Sequence, residues 1–163
     1  RGIAGDTTKY LKKRFYTDAV QLQPRYCILG IGINDFIELE GSYWKKVEPT
    51  RYNQVVATVK RYITQIVQQA KEENICLILT SLLPILIDEK GKKNYIKELN
   101  DWLAEVAKKN NLIFVNYYAT MVFPGTDKPL DRITYDGLHP NAKGYQIMAT
   151  VLRNTLKKHE ILI

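Results

Sequence analysis

The sequence has 163 residues, 45% hydrophobic and 25% charged, with 24 Lys and Arg against 17 Asp and Glu for a formal net charge of +7. That length suits a single domain with a real core, and no apolar run approaches the ~20 residues of a membrane-spanning helix, so no transmembrane segment is expected. The basic pairs Lys12-Lys13, Lys45-Lys46, Lys92-Lys93, Lys108-Lys109 and Lys157-Lys158 are interleaved with acids and match no nucleic-acid-binding motif. They read as solvated helix faces, and no nucleic-acid partner is expected.

In chain order, Gly5-Asp6-Thr7-Thr8 introduces a first helix, with Asp6 or Thr7 available to cap its free amides and Tyr10, Leu11, Arg14 and Phe15 on one stripe. Gly5, read as a strand-to-helix junction, can turn its backbone N–H toward an anion. Tyr26 to Ile31 is a continuous apolar run, the pattern of a strand covered on both faces. It leads into Gly30-Ile31-Gly32-Ile33-Asn34-Asp35. This segment reads either as a glycine-rich turn whose Asn-Asp caps the next element, or as a loop presenting the Asn34 amide as a non-titrating donor.

Residues 36–49 carry no clear period. Val55, Val56, Val59, Ile63, Ile66, Val67 and Ala70 then share a helical stripe over about 50–73, closed by Asn74. A strand is expected at 75–80, with Ser81 at its end. Ile96, Leu99, Trp102, Leu103 and Val106 mark a helix over 94–109, and a third strand is expected at 112–116. The stretch 117–138 reads as irregular. A last helix runs from Pro140 or Asn141 to Lys158, with Tyr145, Met148, Val151, Leu152 and Thr155 inward. Strands alternating with crossover-length helices predict an α/β domain with a mainly parallel sheet. Cys27 and Cys76 each open an apolar run and read as free core thiols, with a disulfide as the minor alternative.

The chemistry concentrates in Asp136-Gly137-Leu138-His139-Pro140. A carboxylate bonded to a histidine Nδ1–H fixes the ring's tautomer and leaves Nε2 for a nucleophile. The same residues also fit a plain turn with a helix cap. A metal site is not expected, because the one other histidine is His159, near the C-terminus, and no Cys or His cluster completes a ligand set.

Taken together, Arg1-Gly2-Ile3-Ala4-Gly5-Asp6-Thr7-Thr8, Gly32-Ile33-Asn34-Asp35 and Asp136-Gly137-Leu138-His139-Pro140-Asn141 resemble the second, third and fifth conserved blocks of the SGNH, or GDSL, hydrolases, in order and in rough spacing. The resemblance covers essentially the whole chain. It implies a flavodoxin-like three-layer α/β/α fold with a parallel sheet, and an ester-hydrolase site that uses no cofactor. Gly5 N–H and the Asn34 side chain would line the oxyanion hole, His139 would be the general base, and Asp136 would orient it. The implied substrate is a small or short-acyl ester, such as a carbohydrate acetyl ester, with a lysophospholipid as the alternative. Tyr43, Trp44, Tyr117, Tyr118 and Tyr135 are loop aromatics that can stack on sugars and as often simply pack.

One part of the family pattern is not matched. The nucleophilic serine of these hydrolases lies in a Gly-Asp-Ser block upstream of the block that opens this chain. The serines here are Ser42 and Ser81, neither in such a setting. Ser42 reads as a loop residue near Trp44. Ser81, at a strand end, reads as a wall or turn hydroxyl, with a substitute nucleophile as the minor alternative. The expectation is that the natural protein is longer than these 163 residues. It would then supply the serine and the first strands, without which the strand at 26–31 is an apolar edge. A non-catalytic binding module on the same fold is the rival from another class.

Overall fold

The computed structural model describes residues 1–40, 49–86 and 92–161; Ser42, Tyr43, Trp44 and the Lys45-Lys46 pair lie outside the described residues. Three strands, β1 (Tyr26–Leu29), β2 (Cys76–Thr80) and β3 (Ile113–Val115), form a parallel sheet in the order β1-β2-β3. Helices α1 (Thr8–Asp18), α2 (Ile33–Glu40), α3 (Pro49–Glu72), α4 (Lys92–Lys109), α5 (Tyr117–Met121) and α6 (Ala142–Lys158) flank it. The α/β fold expected from the alternating periodicity is the fold observed. Two compact units divide the chain, Arg1–Ile78 and Leu79–Ile163.

In the first unit α3 is the central helix, packed against by α1 and α2. All seven residues of its expected stripe are buried, and Tyr52 extends the stripe by a turn. Each such Val or Ile contributes roughly 1.5–3 kcal/mol on leaving water. The helix stops because Asn74 turns left-handed (φ 57°), Ile75 N–H reaches Ala70 O (2.8 Å) and Asn74 N–H reaches Lys71 O (3.2 Å), a Schellman closure. On α1, Phe15 is buried and Leu11 half-buried, but Tyr10 is exposed, with the Lys9 and Lys13 ammonium groups 5.8 and 5.6 Å from its ring centre. Tyr10 therefore leaves the expected stripe.

β1 ends at Leu29, two residues short of the expected strand, because Gly30-Ile31-Gly32 lead directly into α2. Residues 36–40, expected to be irregular, complete that helix. Phe36 is fully buried, its ring 6.1 Å from that of Tyr52. Cys27 and Cys76 are free and half-buried, and desolvation pushes the Cys27 thiol up.

In the second unit α4 lies on β3 and α6 on both β3 and α5. Ile96, Leu99, Leu103 and Ala107 are buried, and α4 closes as α3 does, with Asn111 at φ 52° and Leu112 N–H on Ala107 O (2.8 Å). The stretch after β3 is more ordered than its sequence suggests. Asn116 caps α5 by accepting Ala119 N–H (3.1 Å), and Tyr117 and Tyr118 are buried. Isolated antiparallel bridges join Val122 to Pro129 and Thr134 to Pro140. On α6, Met148, Val151, Leu152 and Thr155 are half-buried and Leu156 is buried, whereas Tyr145 points outward, contrary to expectation. Gly144 sets that rotation by presenting its bare Cα side to Ile133 O.

Candidate active site

The Asp136 loop is built by hydrogen bonds within the second unit. Gly137 N–H donates to Thr134 Oγ1 (3.1 Å), and Gly137 takes φ 88°, a conformation open to glycine at little cost. Asp136 Oδ1 accepts Leu138 N–H (3.0 Å) and His139 N–H (2.8 Å), which leaves Oδ2 for His139 Nδ1 at 2.7 Å. Leu86 N–H donates to Gly137 O (2.8 Å), and Tyr135 N–H to His139 O (2.9 Å). The backbone amide of His139, then its ring, then the amide of Leu138 hold the Asp136 carboxyl well below the usual carboxylate range. A permanent carboxylate on Nδ1 favours the tautomer with Nε2 unprotonated, the form that accepts a proton. Both side chains face solvent, at 65% exposure for His139 and 53% for Asp136.

Asn141 ties this loop to α6. Its Oδ1 accepts Gly144 N–H (3.1 Å) at the helix N-terminus, and its Nδ2 donates to Arg132 O (3.0 Å) and Thr134 O (3.2 Å). A second positioning asparagine, Asn100, belongs to none of the motifs in the sequence. It lies on the apolar face of α4, where it accepts Leu82 N–H (2.7 Å) and donates to Leu82 O (3.2 Å), fixing the segment after β2. An amide among Ile96, Leu99 and Leu103 is the signal that could reveal it, because a buried amide needs partners.

Ser81 is 4% exposed, and its Oγ accepts Tyr118 N–H (2.9 Å) at the start of α5. The hydroxyl thus holds β2 to α5, and its burial leaves little access for an ester.

In the first unit, Gly5 lies in an exposed turn (φ 75°) in which Asp6 N–H reaches Ile3 O (3.3 Å), and α1 begins three residues later. Among the described residues no strand precedes it, so the junction there is turn to helix. Asn34 sits in the first turn of α2, where its Nδ2 donates to Asp6 O (3.0 Å). That bond leaves the second amide hydrogen available. The capping expected of Asp6 and Thr7 is divided differently. Asp6 accepts Thr7 N–H (3.1 Å) and pairs with Arg14, whose guanidinium also meets Asp18. Thr7 makes no side-chain cap, and Asp35 of α2 takes the Thr8 amide (3.0 Å).

Among the described residues, no group of three or more His, Cys, Asp or Glu is placed to hold a metal, and no helix is long and apolar enough to cross a membrane.

The three-stranded parallel sheet flanked by helices matches the fold of solved SGNH hydrolases. The chain belongs to the GDSL-like lipase/acylhydrolase family, whose profile matches residues 1–147. A GDSL-like lipase from Bacteroides thetaiotaomicron VPI-5482 is 30% identical, with a TM-score of 0.79 over 98% of this chain and 75% of that one. A Bacteroides fragilis NCTC 9343 protein with a proposed acylhydrolase assignment is 28% identical, with a TM-score of 0.78 over 98% and 74%. An acetylxylan esterase from Geobacillus stearothermophilus, at 20% identity and a TM-score of 0.72 over 96% and 70%, shares the fold. No curated protein matches the chain.

Proposed function

We propose that this chain carries the acid-base and oxyanion-binding parts of a serine ester hydrolase. The observation that carries the reading is the 2.7 Å contact of His139 Nδ1 with an Asp136 carboxylate already fixed by two backbone amides. In this reading the nucleophile is the serine of the family's Gly-Asp-Ser block, a block that none of the 163 residues matches. His139 Nε2 takes its proton as Oγ bonds to the ester carbonyl carbon, and Asp136 stabilises the imidazolium. Gly5 N–H and the second Asn34 amide hydrogen receive the oxyanion. Collapse of the tetrahedral intermediate breaks the bond to the alcohol, which leaves with the proton from Nε2. Water then adds to the acyl carbon, gives its proton to Nε2, and the carboxylic acid departs as serine regains its hydrogen.

For substrate we favour a short acyl group, such as acetyl on a carbohydrate. Tyr135, 77% exposed and bonded through its backbone to His139, offers a face for a sugar ring. The acetylxylan esterase contributes a likeness of fold to this choice, and the exposed aromatic its chemistry.

The test uses the full-length protein, a fluorophosphonate probe and p-nitrophenyl acetate. The expected result is covalent labelling of one serine, loss of turnover in His139→Ala with folding intact, and about a hundredfold lower kcat in Asn34→Ala. A protein that neither labels nor turns over would be a binding module, and this reading would be abandoned.

A further inference from the structure

Successive side chains of α2 grip the segment that introduces α1. Asn34 Nδ2 donates to Asp6 O (3.0 Å), while Asp35 accepts Thr8 N–H on Oδ2 (3.0 Å) and Thr8 Oγ1–H on Oδ1 (2.5 Å). Asp35 is buried at 8% exposure, and Thr8 is fully buried. We infer that Asp35 is a positioning residue for the oxyanion-binding turn, acting through Thr8 to hold Gly5-Asp6-Thr7 in register with Asn34. This role rests on the esterase reading above and belongs to a residue that the reading leaves without one.

The first reason is that an α1 cap needs no residue 27 positions away. Thr7 stands at the N-cap with a hydroxyl, the residue type that ordinarily bonds its own helix, yet it makes no such bond. The cap comes from α2, so forming it fixes the start of one helix to the start of the other.

Second, packing does not place Gly5 itself, although Asp6 and Thr7 beside it are buried. Gly5 is exposed, and a Cβ built on it would meet nothing within 4 Å. The direction of its amide is therefore set by how the residues after it are held, Asp6 by Asn34 and Arg14 and Thr8 by Asp35. Third, the group must be a carboxylate. Two donors on one residue, an amide and a hydroxyl, are met by two acceptor oxygens, and bonds to an ionised acceptor are roughly twice as strong as neutral ones. An asparagine offers one acceptor and an NH2 group that faces a donor.

A misplaced donor costs rate more than binding, because the oxyanion forms only at the transition state. In the full-length protein acting on p-nitrophenyl acetate, Asp35→Asn should lower kcat about ten- to a hundredfold with KM within about twofold. Thr8→Val, which keeps the shape and the amide but removes the hydroxyl, should shift kcat in the same direction by a smaller factor, and Thr8→Ser should restore it. The pH profile should keep its shape, since His139 and Asp136 are untouched.

A cap that serves stability alone would lower Tm and leave kcat per folded molecule and fluorophosphonate labelling rate at wild-type values. That result in Asp35→Asn and Thr8→Val would overturn the inference while the esterase reading stood. Should Asp35→Asn fail to fold, the Thr8→Val and Thr8→Ser pair decides. A wild-type protein that neither turns over nor labels would remove the esterase reading and this inference with it.

Discussion

A half-exposed carboxylate is normally an ordinary one, yet Asp136 is held below the usual carboxylate range by hydrogen bonds and not by burial. A carboxyl depressed on folding stabilises the native state above its unfolded pKa, about 3.9 for Asp, and that contribution is lost only as pH falls through the lower folded value. Carbon-detected NMR of Asp136 should therefore show no inflection near pH 4, whereas free surface aspartates should titrate there. An ordinary midpoint would mean that the two amide bonds do not form in solution. Ser81 shows the converse case. Its hydroxyl is chemically able to attack an ester, but it is buried and occupied by the Tyr118 amide. At this scale residue type proposes the chemistry, and hydrogen-bond partners determine whether the group is available for it.

Helix ends carry most of the positioning at the next scale. Asn74 and Asn111 close the two long helices in left-handed conformations that asparagine tolerates better than most residues. Asn141 opens α6 and grips the loop that bears Asp136. Gly144, one turn in, has no room for a side chain: a Cβ there would lie 2.3 Å from Ile133 O and 3.0 Å from Pro140 Cβ. Alanine is the better helix former by about 1 kcal/mol, but a contact that close with backbone must displace either the helix or the segment leading to Asp136. Gly144→Ala should thus lower stability by about 1–3 kcal/mol, read as a fall of several degrees in Tm. An unchanged or higher Tm would show that the helix can slide without cost.

For the molecule as a whole, charge and exposed apolar surface matter most. Part of the excess of basic residues sits where helix dipoles favour it, with Lys71, Lys108, Lys109, Lys157 and Lys158 in last turns. The apolar surface is less evenly managed. β1 lies at one side of the sheet with Ile28 49% exposed, and Ile3 and Leu22 of the same unit are also uncovered. An edge strand with an open apolar face favours self-association. A polypeptide of residues 1–163 should scatter light increasingly with concentration, and Ile28→Lys should reduce that increase. Equal behaviour of the two would place the sticky surface elsewhere.

Periodicity alone is enough to read the alternating architecture and the α3 and α4 stripes, because a 3.6-residue period and short apolar runs record burial directly. The Asp136-x-x-His139 pair is legible for a similar reason: a three-residue spacing around a glycine lets a carboxylate reach back to an imidazole using local bonds alone. The features that sequence leaves open depend on partners distant in the chain. Whether Tyr10 and Tyr145 face inward, whether residues 117–121 are a helix, what Asn100 bonds and why Asp35 stands beside Asn34 are all decided by tertiary contacts. A buried polar group must find its partner wherever the fold supplies one, and in the case of Asp35 that partner is 27 residues away.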